Sequence, residues 1–239
     1  MQDSSTISPA RQQRALWLST FAFTTCFAVW MIFSIIGIQI KKDLGLNDTQ
    51  FGLLIATPVL SGSLLRIFLG VWADQIGGRK VLTGVMLAGA AATWLLTHAQ
   101  TYPQFLMAAL AVGIAGGSFA VGIAYVSKWF PQEKQGTALG IFGAGNIGSA
   151  VTKLLAPMVM VAYGWHGVAR FWAIGLAITA VLFFLFTKDD PGLARRKAEG
   201  IKPVPFAEQM KPLRNLQVWR FSLYYFFVFG AFVALALWL

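Results

Sequence analysis

The chain has 239 residues, 57% of them hydrophobic and only 12% charged, with a mean hydropathy of +0.65. Soluble domains carry about 25% charged residues, so this composition excludes an ordinary soluble domain and predicts a polytopic membrane protein. The formal net charge of +10 is distributed as a topology signal rather than as a nucleic-acid surface, and the single cysteine, Cys26, excludes a disulfide framework.

Residues 1–15 form a polar, basic tail. The apolar run that follows exceeds signal-peptide length and has no small-residue cleavage site, so it is expected to be an uncleaved first helix. Six runs approach the ~20 residues needed to span a bilayer: Leu16–Ile38, Phe51–Trp72, Val81–Thr97, Gln104–Val126, Gly136–Tyr163 and Val168–Thr187. Short connections between them imply antiparallel neighbours. Residues 188–219 are basic, contain Pro191, Pro203, Pro205 and Pro212, and are expected to be a loop between two bundles. A seventh run occupies 220–239 and ends on Ala-Leu-Trp-Leu without a polar flank. The expectation is therefore an all-α membrane protein with a six-helix bundle over 16–187, a basic loop and the start of a second bundle, the chain being the N-terminal part of something longer.

Basic residues are biased to one side. That side holds Arg11, Arg14, Arg79, Lys80, Lys128, Lys134 and the 188–219 segment, and the other holds Lys41, Lys42 and Arg170. The positive-inside rule assigns the first side, with the N-terminus, to the cytoplasm. Lys41 and Lys42 oppose the bias, but Asp43 and Asp48 stand beside them.

Arg66 lies inside the second run, roughly 20 Å from Phe51 at 1.5 Å per residue. A charge there costs at least about 2.5–3.5 kcal/mol. Two readings stand: the stem snorkels to the nearer interface, or the guanidinium faces a central cavity and binds an anion with its planar fork of donors. Lys153, in the fifth run, has the same pair of readings, snorkelling or a part in coupling. No span contains Asp or Glu, and two buried cations without acids favour an anionic substrate.

Glycines crowd two runs. In the fifth, Gly136, Gly140, Ala144 and Gly148 recur every fourth residue, the pattern of a close helix–helix approach. Gly143, Gly145 and Asn146 fall outside that stripe, thin the helix on other faces, and leave Asn146 able to donate to an anion. The fourth run repeats the theme with Gly113, Gly116, Gly117 and Ala120, suggesting a close-packed pair of helices. The turn from Gly70 through Asp74, Gly77 and Gly78 to Arg79 and Lys80 is the most specific local signal. Its glycines allow a tight reversal, and Asp74 is placed to pair with Arg79 or with the positive end of a neighbouring helix. No phosphate-binding loop, dinucleotide fingerprint, metal-ligand spacing or nucleophile–base pair is found, so neither a cofactor nor an enzymatic reaction is expected.

The turn resembles the loop between the second and third helices of the major facilitator superfamily, with Gln75 where the pattern has its first basic residue. Within that superfamily the chain is similar to the nitrate/nitrite (NarK-like) porters. The residues carrying this are Leu64-Leu65-Arg66, Gly116-Gly117-Ser118-Phe119, Trp129-Phe130-Pro131, Gly143-Ala144-Gly145-Asn146-Ile147-Gly148, and Ser222 to Tyr225 with Phe229-Gly230.

The resemblance implies a major facilitator-type N-terminal bundle in a bacterial inner membrane. It implies a nitrate or nitrite carrier working by alternating access, with proton-linked uptake suggested by the residues before Lys153. Arg66 would be the N-terminal half of an anion clamp, with Phe119, Tyr225 and Phe229 lining the site and Gly143 and Asn146 facing it. Gly70, Asp74, Gly77, Arg79 and Lys80 would form a conformational latch. The opposing arginine would come from a C-terminal bundle that this chain lacks. The partners implied are the anion, protons and the lipid bilayer. Carriage of another organic or phosphorylated anion, and a truncated membrane protein that transports nothing, are the alternatives.

Overall fold

Every regular element in the computed structural model, which describes residues 8–201 and 204–238, is helical. Residues 1–7 of the tail, Pro203 of the basic segment and Leu239 lie outside the described residues. The first run is not one helix. It forms α1 (Pro9–Trp30) and α2 (Phe33–Leu44), broken at Met31 and Ile32. Pro9 opens α1, where a missing amide proton is harmless, and Gly45 closes α2 in the left-handed conformation at φ 61°. Asn47 and Gln50 form a reciprocal capping box at the start of α3 (Asp48–Ile76).

Gly77, at φ 108°, ends α3 and begins α4 (Gly78–Leu96). α5 (Tyr102–Val112) and α6 (Ser118–Ser127) are joined by a 3₁₀ segment, Gly113–Gly117. α7 (Gln132–Gly143) and α8 (Gly148–Phe186) are likewise joined by Ala144–Ile147. The 188–219 segment is not simply a loop, since it carries the short helices α9 (Pro191–Ala198) and α10 (Phe206–Gln209) and a 3₁₀ turn at Lys211–Arg214. The last helix, α11, is Leu216–Trp238.

Among the described residues, five helical stretches are long and apolar enough to cross a membrane. One of them, Gln132–Phe186, has 55 residues, enough for two crossings, and its helix is interrupted by Gly164 at φ 66°. Contacts with α1 establish the reversal. Thr152 donates to the Ala28 carbonyl at 2.7 Å, whereas Leu185 and Lys188 lie beside Arg11 and Arg14, at the opposite end of α1. α8 packs on α1 and α4, and α3 packs on α5, α6 and the 3₁₀ segment between them. Large apolar side chains such as Leu64, Phe68, Leu154, Met158 and Val161 point outward. So much outward apolar surface suits an apolar surround rather than water, where helices satisfy their own backbone.

The glycines correct the expected packing. A β-carbon at Gly136 or Gly140 would meet nothing within 4 Å, and Ala144 is exposed. The close approach to α1 is made instead by Gly145, against Phe23, and by Gly148, against the Thr24 carbonyl. In the fourth run, Gly113 and Gly116 sit against α3 and Trp30, and Gly117 against Leu69. The two glycine segments therefore face α1 and α3 rather than each other.

Candidate functional site

The site is built around a close crossing of α3 and the Gly113–Gly117 segment. A β-carbon on Gly62 would stand 2.7 Å from the Gly113 carbonyl oxygen and 2.9 Å from Trp30 Nε1, so only glycine fits. Pro58, four residues earlier, offers its carbonyl to Trp30 Nε1 at 2.8 Å. Trp30 is 1% exposed and is thereby fixed beneath the next turn of α3.

That turn carries Arg66. Its Nε donates to the Gly116 carbonyl at 3.1 Å. Its guanidinium carbon lies 5.4 Å from the Trp30 ring, 5.5 Å from Phe119 and 5.2 Å from Phe229. Each such face attracts the cation, by about 0.5–2 kcal/mol. Tyr225 stacks on Phe229 at 5.0 Å and on Phe119 at 6.2 Å, and its side chain interacts with that of Arg66. Among the described residues, no carboxylate pairs with Arg66. The side chain thus turns inward among rings from α1, α6 and α11. An unpaired guanidinium in that setting can hold an anion through charge-assisted hydrogen bonds.

Arg66, Phe119, Tyr225 and Phe229 are therefore brought together. Gly143 and Asn146 are tied to each other, with Asn146 Nδ2 donating to the Gly143 carbonyl at 2.8 Å, and no hydrogen bond among the described residues joins either to Arg66. The buried Asn146 Oδ1 has no hydrogen-bond partner among the described residues. The two regions connect through rings, as Phe119 lies 5.4 Å from Phe23 and 6.1 Å from Phe142. Sequence reasoning missed Trp30, Phe23 and Phe142. The available signal was the spacing Phe23, Phe27, Trp30, which puts three rings on one face of α1. Lys153 is half-buried and has no ion pair among the described residues. Its neighbour Thr152 also accepts from Trp172 Nε1 at 2.9 Å.

The turn residues are wired differently from expectation. Asp74 pairs with Lys128 at 2.7 Å and not with Arg79. Arg79 instead donates through Nε to the Phe184 carbonyl at 3.0 Å, with a second bond from Nη2, and lies over the Phe184 ring. The reason is that the last carbonyls of α8 lack helical partners and attract a cation. Lys128 also lies 3.8 Å from the buried Asp190, which Arg196 of α9 approaches to 3.7 Å. Gly77 underlies this cluster, packed against Asp189 and Leu193. Gly70 faces Ala120, and Lys80 is exposed.

The apolar helices pack around an aromatic-lined cation in the way expected of a membrane-embedded bundle, and the sequence comparison supplies the class. Residues 18–239 match the Major Facilitator Superfamily model, and the chain belongs to that superfamily. Over 238 residues it is 42% identical to the probable nitrate/nitrite antiporter NarK1 of Thermus thermophilus, covering 95% of this chain and 52% of that protein. It is 34% identical over 226 residues to the probable nitrate transporter NarT of Staphylococcus epidermidis, covering 94% of this chain and 56% of that protein. The chain thus spans about half the length of the curated relatives it matches, and the resemblance to nitrate/nitrite porters holds along it. Among solved structures, a bacterial homologue of the lysosomal transporter Spinster, inward-facing and unoccupied, superimposes with a TM-score of 0.71 at 18% identity, over 77% of this chain and 45% of that one. The fold is that of a multi-pass transporter.

Proposed function

We propose that this chain is the N-terminal half of a nitrate/nitrite carrier of the bacterial inner membrane, with its N-terminus in the cytoplasm, and that Arg66 binds the anion. The observation carrying this is the Arg66 guanidinium, held at Nε by Gly116, flanked by Trp30, Phe119 and Phe229, and unmatched by a carboxylate among the described residues. With Nε committed, the two terminal nitrogens present the bidentate edge to a planar oxyanion. Phe119, Tyr225 and Phe229 line the site, and Gly143 and Asn146 border it. A second bundle supplies an opposing cation. The bundles rock about this midplane site, with the Gly70–Lys80 turn as latch and Lys153 coupling uptake to protons.

Uptake assays in transport-deficient cells test the cargo, using this chain joined to the C-terminal half of a nitrate relative. Nitrate and nitrite accumulation, insensitive to excess organic anion or sugar phosphate, is the expected result. Competition by those larger anions with no accumulation of nitrate would replace the cargo assignment.

A further inference from the structure

At the end of the bundle where α1 begins and α8 stops, a cavity of about 230 Å³ opens between the two helices and the loop after α6. Its rim carries Arg11 and Arg14, one turn apart on α1, and Lys188, just past α8. None of the three pairs with a carboxylate among the described residues, although Lys128 and Arg196 nearby both reach Asp190. The three cations line one cavity whose lining contains no carboxylate, and an anion bound there would offset their mutual repulsion.

The wall of the cavity includes Trp129, 4% exposed. Its backbone carbonyl accepts from Gln12 Nε2 at 2.8 Å, which holds the loop to α1. Its indole packs edge-on against Tyr125, with ring centroids 6.0 Å apart.

A shallower groove shares Arg14 and Phe186 with the cavity and is lined further by Trp17 and Leu18. Trp17 and Phe186 are 59% and 55% exposed. The order of residues along both helices gives the site an axis. Arg11, Arg14 and Lys188 lie at the end of the bundle, while Trp17, Leu18 and Phe186 lie toward its interior length. Basic pockets at helix ends suit lipid headgroups, and tryptophan marks the level where headgroup meets chain. A free inorganic anion would leave the groove unused.

We propose that this cleft binds an anionic phospholipid, its phosphate between Arg11, Arg14 and Lys188 and one acyl chain along Trp17, Leu18 and Phe186. The site lies apart from Arg66 and rests only on the chain being embedded in a membrane, not on the identity of the cargo.

Native mass spectrometry of the detergent-purified chain tests it, with phosphatidylglycerol and phosphatidylcholine of identical acyl chains as probes. Phosphatidylglycerol should be retained preferentially. The double variant Arg11→Gln, Arg14→Gln should weaken that retention about 25-fold, at roughly fivefold per basic residue. Lys42→Gln, at the opposite end, should leave it unchanged. Should the double variant fail to purify, Lys188→Gln alone should lose about fivefold. Equal retention of both lipids, an undiminished phosphatidylglycerol adduct in the variants, or displacement by inorganic phosphate at equal concentration would overturn the proposal.

Discussion

Arg66 Nε donates to the Gly116 carbonyl at 3.1 Å, and that bond links the one cation of the second span to a 3₁₀ turn in the fourth. The turn exposes the carbonyl, and the glycine lets Trp30 lie against it. The position of the guanidinium thus depends on a backbone carbonyl bound at Nε and on the Trp30 ring beside it.

The Gly116→Ala variant tests that dependence. A β-carbon there would stand 2.6 Å from Trp30 Cε2 and Nε1, forcing the indole away. Overpacking of this kind costs about 1–3 kcal/mol. Gly140→Ala, into open space, should be neutral or stabilising by up to about 1 kcal/mol through helix propensity. Thermal unfolding in detergent compares the two, and equal midpoints would contradict the packing described.

Trp30→Phe removes the donor to the Pro58 carbonyl while leaving an aromatic face. Ser61 Oγ still reaches that carbonyl at 3.3 Å, so a loss of about 1–2 kcal/mol is expected. Anion uptake should fall further than this stability loss explains, because Arg66 loses a fixed neighbour. Transport per folded molecule is the readout.

How far these features were legible in the sequence depends on the residue. Arg66 announced itself as a charge in an apolar run, and the resemblance supplied Phe119, Tyr225 and Phe229. Trp30 offered only its spacing from Phe23 and Phe27, a weak signal because an aromatic in an apolar run is ordinary. Its role comes from the bend at Met31 and Ile32 and the space left by Gly62 and Gly116. The stripe of Gly136, Gly140, Ala144 and Gly148 misled for a geometric reason. Four residues advance about 40° beyond a full helical turn, and the 3₁₀ segment Ala144–Ile147 shifts the phase again. Asp74 has its ion-pair partner in Lys128, 54 positions on and in a loop, where spacing carries no information.

Two substitutions separate structure from switching in the turn. Gly77→Ala places a β-carbon at φ 108° and 2.6 Å from Asp189 Oδ1, and should destabilise by about 1–3 kcal/mol. Asp74→Asn breaks only a partly exposed pair, worth less than about 1 kcal/mol. It should slow transport while leaving the unfolding midpoint nearly unchanged. Equal loss of midpoint in both variants would make Asp74 a structural residue rather than part of a latch.

Under the proposed function, Arg66 binds the anion through its bidentate fork. The direct measurement is nitrate uptake by this chain joined to the C-terminal half of a nitrate relative, comparing Arg66 with Arg66→Lys at matched expression. Lysine keeps the charge but not the fork, so uptake should fall at least about tenfold, the scale of one charge-assisted hydrogen bond. Undiminished uptake in the lysine variant would contradict the assignment.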